Sequence, residues 1–261
     1  MTTKKILAVV PTFNRKELVE LSSASLRRIP FDPHRFSFVI SDDCSEDYGL
    51  TFLQAAYSTL PNATFMKTSR NAGPVGHVWS LLKLFVGGEH DKVLILDSDL
   101  IVHESCLRCI DDFESELVSS LYNSCFHETV EEHEGYCTKA DIGWAGALID
   151  KGVVREMFRR HGSRPFDDWA LCDFAKRARL TIKASRPSAI EHIGVSGMNN
   201  AAPEQFDHSI DFPRDYIDEA TRNYFLRNRG FDLLQYLETR PNPPLRADSL
   251  NVFGISTPKN V

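Results

Sequence analysis

The sequence predicts an α/β fold, a mostly parallel central sheet flanked by helices, with a C-terminal helical extension. Three observations carry that expectation. Short apolar runs alternate with helix-like patterns through the first hundred residues, which is the rhythm of βαβ units. The runs are nearly continuous in apolar residues, as strands buried on both faces should be. A length of 261 residues suits one such core plus an extension better than two domains.

Strands are expected at Lys5–Val10, Phe36–Ser41, Ala63–Lys67 and Lys92–Leu96. Helices are expected between them, at Arg15–Arg28, Gly49–Thr59 and Val75–Val86. Pro74 precedes the third helix and Gly87-Gly88 follows it, sensible start and stop signals. Beyond Asp99 the rhythm changes. A helix at Glu104–Phe113 leads to strand-like Glu116–Tyr122, a polar stretch from His127 to Glu134, and a strand over Gly143–Ile149. Two helices follow, Lys151–Arg160 and Asp168–Arg179; in the second, Leu171, Phe174, Ala175 and Ala178 make one buried face. The tail from Pro203 carries one helical stretch, Tyr216–Leu237, and then the Pro-rich Pro241–Pro244. We therefore divide the chain into a domain over 1–200, with halves 1–100 and 101–200, and an extension over 201–261 that serves as a lid, an acceptor-site element or an oligomer contact.

A formal net charge of −6 without a long basic run excludes a nucleic-acid footprint. No apolar stretch approaches the ~20 residues that span a bilayer, and Ile6–Val10 is too short for a secretory leader. Peripheral membrane contact stays open. The six cysteines are scattered, with one Cys106-x-x-Cys109 pair and no second pair to complete a zinc site. Reduced structural thiols in a cytoplasmic protein are expected.

Ligands of open parallel sheets bind beyond the carboxyl ends of the strands. Polar residues gather at four such ends: Pro11-Thr12-Phe13-Asn14-Arg15, Asp42 to Asp47, Arg70-Asn71-Ala72-Gly73, and Asp97-Ser98-Asp99. Two carboxylates one residue apart after Val93-Leu94-Ile95-Leu96 suit a hard divalent cation, Mg²⁺ or Mn²⁺, which bridges phosphate oxygens. The Asp42-Asp43 pair also reads as a turn or helix cap.

In these motifs, together with Asp167-Asp168-Trp169 and His192, the chain from Lys4 to Gly197 resembles the family 2 glycosyltransferases, whose Rossmann-like nucleotide-sugar-binding fold is called GT-A. The resemblance implies a nucleotide-sugar donor, UDP-linked by preference, a glycan or other hydroxyl acceptor, and an inverting, metal-dependent transfer of the hexosyl type. It implies that Asp43, or else Asp42, accepts a hydrogen bond from the base. Pro11, Thr12, Asn14, Arg15, Arg70, Asn71, Gly73 and Ser98 would line the donor pocket. Asp97 would contact ribose or metal, and Asp99 and His192 would ligate the metal. Of the acidic pair Asp167-Asp168, Asp168 is the expected base, kept ionised by the N-terminus of its helix. As an alternative, Asp168 serves only as that helix's cap.

The chain departs from the family pattern in two places. His77 and Trp79 stand where an Arg is common, and the acidic pair is Asp-Asp rather than Glu-Asp. The Gln-x-x-Arg-Trp motif of processive synthases is absent, which implies one sugar per encounter. His127-Glu128 and Glu131 to Glu134 read as a solvated acidic loop, because the zinc-protease pattern would need His at Glu131. Trp144 reads equally as an acceptor-stacking ring or as core; Trp169 is assigned to the acceptor side. Ser196 to Asn200 is a candidate closing loop. The competing readings are a sugar-nucleotide nucleotidyltransferase, disfavoured by the lack of a Gly-rich loop after the first strand, and a catalytically inactive nucleotide-sugar-binding module.

Overall fold

A computed structural model describes residues 3–194 and 207–239. The expected closing loop Ser196–Asn200, the start of the extension at Pro203 and the stretch Pro241–Pro244 lie outside the described residues.

The strands in chain order are β1 (Ile6–Thr12), β2 (Phe36–Asp42), β3 (Ala63–Lys67), β4 (Lys92–Ile95), β5 (Leu100–Val102), β6 (Val118–Ser120), β7 (Thr129–Glu132), β8 (Tyr136–Lys139), β9 (Ala147–Asp150), β10 (Ile182–Ser185) and β11 (Ile190–His192). The helices are α1 (Lys16–Leu26), α2 (Leu50–Ala56), α3 (Gly73–Gly87), α4 (Cys106–Asp112), α5 (Lys151–His161), α6 (Asp168–Ala178), α7 (Glu219–Arg229) and α8 (Leu233–Thr239). One sheet runs β3-β2-β1-β4-β9-β6-β10-β8-β7, and β11 pairs with β5 in a second. The first four strands are parallel; β9 and β8 are reversed, and β6, β10 and β7 follow the common direction. The sheet is thus mostly parallel, as expected.

The apolar runs form strands because both of their faces are covered. Ile6, Ala8 and Val10 join a core under one face of the sheet, with Phe36, Phe38 and Leu94. Leu7 and Val9 point the other way, into a second core with Leu81, Phe85, Ile149 and Leu171. This is the two-residue period of a strand, and each Leu, Ile or Val fully buried there contributes ~1.5–3 kcal/mol.

Four expectations need correction. The polar stretch His127–Glu134 is no loop: β7 and β8 form a hairpin with Gly135 at φ 81 in its turn, paired through β8 to β10. The strand over Gly143–Ile149 is confined to Ala147–Asp150. β5, β10 and β11 were not foreseen. The single helix Tyr216–Leu237 is broken: Asp218 caps α7 by accepting from Thr221 N (2.9 Å), and Gly230, at φ 73, ends it before α8.

The described part of the extension does not stand apart. Phe212, Ile217, Tyr224, Phe225, Leu233 and Leu237 share a third core with Leu18 of α1, Ile101 of β5 and Ile193. Asp218 pairs with Arg28 at 2.8 Å, and Arg227 with Glu17.

Candidate active site

The parallel register places Thr12, Asp42 and Lys67 in one row at the carboxyl ends of β1, β2 and β3. After β1 the chain turns through two consecutive left-handed residues, Asn14 (φ 50) and Arg15 (φ 57). Such non-glycine positions cost about 1–2 kcal/mol each and persist when their surroundings dictate them. Here Asn14 N donates to Ser45 Oγ (2.7 Å), Arg15 N to Asp47 Oδ2 (2.8 Å), and Glu46 N to Asn14 Oδ1 (2.9 Å). The loop after β2 therefore shapes the turn after β1, and the turn aims the Arg15 guanidinium at Asp99 Oδ2, 2.8 Å away.

Asp42 and Asp43 are both buried and differently employed. Asp42 accepts from Ser45 N (2.9 Å) and pairs with Lys67 Nζ at 3.1 Å. Asp43 accepts from Thr68 Oγ1 (3.2 Å), Ala72 N (2.9 Å) and Gly73 N (2.9 Å), so it holds the Arg70–Gly73 loop and the start of α3 against β2. Asn71 Oδ1 reinforces that turn by accepting from Gly73 N (2.7 Å), and Arg70 is exposed beside it. His77 lies buried beneath the same end, its Nε2 2.8 Å from Ser41 Oγ, and burial lowers its pKa. It does not replace the missing Arg as a surface cation.

Asp97 and Asp99 follow β4, with Ser98 buried between them. The unforeseen β5–β11 pairing brings His192 to this triplet: Leu100 opposes His192, and Ile193 N donates to Asp99 O at 2.8 Å. His192 Nδ1 donates to the Asp207 carbonyl (3.1 Å), which turns Nε2 toward Asp99 Oδ2 at 3.5 Å. Glu191, wholly buried, fastens the far side by accepting from Ser209 N (2.8 Å) and Ser209 Oγ (2.9 Å), with Arg214 at 3.3 Å.

These neighbours reset the protonation of the site. Desolvation, then repulsion by Asp99, pushes Asp97 up to about 7, with His192 and Arg15 offsetting part and Asp168 adding to it. Burial acts to raise Asp99 as well, but His192 and Arg15 outweigh it and hold the carboxyl well below the usual range. Burial would strip the proton from His192, yet Asp99 and Asp207 raise it to about 9. Burial raises Glu191 to about 7 against the pull of Ser209 and Arg214.

Groups with raised folded-state pKa values keep protons that the unfolded chain releases, so their stabilisation is lost as pH rises. For Asp97 and Glu191 the window runs from their ordinary values of 3.8 and 4.5 up to about 7, and for His192 from 6.5 to about 9. Thermal melts in EDTA are expected to show Tm falling from pH 6 to pH 9. In His192→Gln the decline above pH 7 should become shallower, with a remainder from Asp97, which loses the cation that lowers it. An unchanged decline would refute the assignment to His192.

Among the described residues no group of three His, Cys, Asp or Glu is arranged to hold a metal ion. The Asp99–His192 pair fits a hard divalent cation once that cation displaces the His192 proton, with the remaining ligands from phosphate and water, as for Mg²⁺ and Mn²⁺. Their facing atoms are close, and the oxygen concerned already attracts the Arg15 cation.

Asp167 and Asp168 divide two roles that their sequence leaves merged. Asp167 is the cap of α6, accepting from Ala170 N at 2.9 Å. Asp168 is the first helical residue; its Oδ1 takes Trp169 N (3.0 Å) and its Oδ2 turns toward Gly143. One turn on, Cys172 Sγ donates to Ile142 O (3.2 Å) and locks the helix to the strand-end segment. The helix N-terminus does not win: burial, then Asp167, raises the pKa of Asp168, with His127 opposing. Trp144 is half-buried against the second core, and Trp169 is 56% exposed.

The structure thus brings Arg15, Asp99 and His192 together, with Asp97 beside them and Asp168 acting on Asp97 least of these four. Asp42, Asp43, Arg70 and Asn71 organise neighbouring loops. Sequence reasoning missed Glu191, Asp207 and the pair His127–Asp141. The signal for the last was there: Gly135 between Thr129-Val130 and Tyr136-Cys137-Thr138 is a hairpin pattern.

The family described as glycosyl transferase family 2 matches residues 7–137. Among solved structures, S. aureus TarS 1-349 is 21% identical with a TM-score of 0.51, over 69% of this chain and 57% of that chain. Its complex with UDP-GlcNAc gives 20%, a TM-score of 0.50, and 69% and 55%. The mannosyltransferase PcManGT from Pyrobaculum calidifontis, in complex with GDP-Man and Mn²⁺, gives 14%, 0.52, and 77% and 59%. At such identities the likeness is one of fold, and the chain spans less than two thirds of those chains. No curated protein matches the sequence. The family match runs over half of the sequence, from β1 into β8, and the chain belongs to glycosyl transferase family 2.

Proposed function

We propose that the protein moves one sugar from a nucleoside-diphosphate sugar, with UDP as the nucleotide, to a hydroxyl of a glycan acceptor, with inversion and with a divalent cation. The observation that carries this reading is the meeting of Arg15 and His192 on Asp99 Oδ2, at 2.8 and 3.5 Å, at the carboxyl ends of the sheet. The solved neighbours with UDP-GlcNAc and with GDP-Man and Mn²⁺ support the donor class.

Asp168 accepts the acceptor hydroxyl's proton while that oxygen bonds to the anomeric carbon; the bond from that carbon to the diphosphate breaks, and the nucleoside diphosphate leaves with the electron pair. A carboxyl raised by burial is a better base near neutral pH than an exposed one. Asp99 and His192, with Asp97 beside them, would hold Mn²⁺ or Mg²⁺. Bound there, the cation would supply Lewis-acid neutralisation of the departing diphosphate. Arg15 adds a fixed positive charge at the same place. Asp43 shapes the base pocket by anchoring the Arg70–Gly73 loop. The described residues contain no helix long and apolar enough to cross a membrane, and all six cysteines are free, in keeping with cytoplasmic work.

Calorimetric titration with UDP, GDP, CDP and dTDP, each with Mn²⁺ and with EDTA, tests the reading. One nucleotide, UDP, is expected to bind with Mn²⁺ and weakly in EDTA. A protein that binds none of the four is not a nucleotide-sugar transferase. Slow release of free sugar from the bound donor separates an enzyme from an inactive binding module.

A further inference from the structure

The hairpin β7–β8 closes at its open end on two residues, His127 just before β7 and Asp141 just after β8. Its frame is held from within. Buried Lys139 donates to Ser124 O (3.1 Å), His127 O (2.9 Å) and Thr129 Oγ1 (2.9 Å), and Ala140 N donates to Glu128 O (3.0 Å). Within that frame His127 Nδ1 donates to Asp141 Oδ1, and the ring is largely sheltered, with 17% of its side chain exposed. A carboxylate on Nδ1 fixes the tautomer and leaves Nε2 as an acceptor.

That nitrogen faces the base. A Cβ placed on Gly143 would lie 3.6 Å from His127 Nε2 and 3.5 Å from Asp168 Oδ2. The two atoms therefore border one gap, which stays open because residue 143 has no side chain.

We propose that His127, oriented by Asp141, is an acceptor-binding residue, and that the acceptor is a vicinal diol seated over Gly143. One hydroxyl gives its proton to Asp168 Oδ2 and attacks the donor; its neighbour donates a hydrogen bond to His127 Nε2. Adjacent hydroxyls of a sugar ring or an open polyol can reach both atoms at once, whereas an isolated hydroxyl, with one proton to give, engages only one. The inference rests on Asp168 being the base and on the transfer proposed above.

The test is a competition between acceptors. Wild-type protein with Mn²⁺ is given UDP-GlcNAc, UDP-glucose, UDP-galactose or GDP-mannose, in water containing either glycerol or 1,3-propanediol, and glycoside formation is compared with free sugar released. Wild type is expected to favour glycerol over 1,3-propanediol. His127→Ala should lower the glycerol-to-1,3-propanediol ratio by about tenfold, the worth of one hydrogen bond, without weakening nucleotide affinity. Gly143→Ala guards against a folding artefact, since its methyl makes only ordinary contacts with the protein and yet fills the gap. It should lower the same ratio. Unchanged ratios in both variants, or glycerol and 1,3-propanediol transfer falling together, would overturn this inference while leaving the transferase reading intact. Wild-type protein that releases sugar to no acceptor overturns both.

Discussion

Asp168→Asn is expected to lower sugar transfer by roughly 10²–10⁴-fold, the worth of a positioned general base, with nucleotide affinity changed less than about twofold. The substitution keeps the shape of the side chain and the oxygen that takes Trp169 N, and the cap of α6 belongs to Asp167. The helix should therefore stay in place, held also by Cys172 on Ile142. Removing the charge also relieves a repulsion on Asp97, so Tm should hold or rise. Steady-state kinetics with the donor that calorimetry identifies, beside a thermal melt, reads both effects. Turnover within tenfold of wild type would remove Asp168 from the role. Asp167→Asn is the informative contrast. Loss of its charge should spare most transfer, because its side chain faces the helix amides.

Gly194→Ala should abolish most of the metal-dependent part of nucleotide binding, by more than about tenfold. A Cβ there would stand 2.1 Å from Asp99 Oδ2, 2.7 Å from Asp99 Cγ and 2.9 Å from His192 Nε2. No real contact is that short, and the carboxylate cannot swing aside freely. Arg15 holds it on one side, His192 on another, and only 5% of Asp99 is exposed. Overpacking of this kind costs about 1–3 kcal/mol, so Tm should also fall by several degrees. Titration of the nucleotide with Mn²⁺ and with EDTA separates the effects: affinity in EDTA should change little, and affinity with Mn²⁺ should collapse toward it. Undiminished Mn²⁺-dependent binding would show that Asp99 and His192 are not the metal's ligands.

Much of this architecture is legible locally. β1, β2 and β4 stand where continuous apolar runs predict them, because a strand covered on both faces needs no partner's identity to announce itself, and the half-exposed edge strand β3 is legible from Thr64 and Phe65. Ala63–Lys67 has the predicted bounds to the residue, whereas α3 takes Pro74 into its first turn and runs through Gly87, so that only Gly88 stands beyond its end. The short strands β5, β10 and β11 were invisible for the opposite reason. Three or four residues carry no period, and what makes them strands is pairing with segments remote in sequence, as Leu100 with His192. The helix drawn through Tyr216–Leu237 ignored Asp218 and Gly230, whose cap chemistry was readable.

The sequence by itself determined the α/β plan, the polar strand ends and the kinds of residue at the site, since each follows from composition and order over a few neighbouring positions. Only the tertiary structure decided what those residues do to one another. It assigned the cap to Asp167 and left Asp168 facing the gap over Gly143; it set His192 on Asp99, and it drew His127 from an apparent acidic loop to the edge of the site. It also reversed the argument from the helix dipole, because burial outweighs the helix N-terminus at Asp168. Protonation and metal affinity depend on the distance between charges and on the water excluded around them. Those quantities arise between segments such as Arg15 and Asp99, joined only when the sheet is closed.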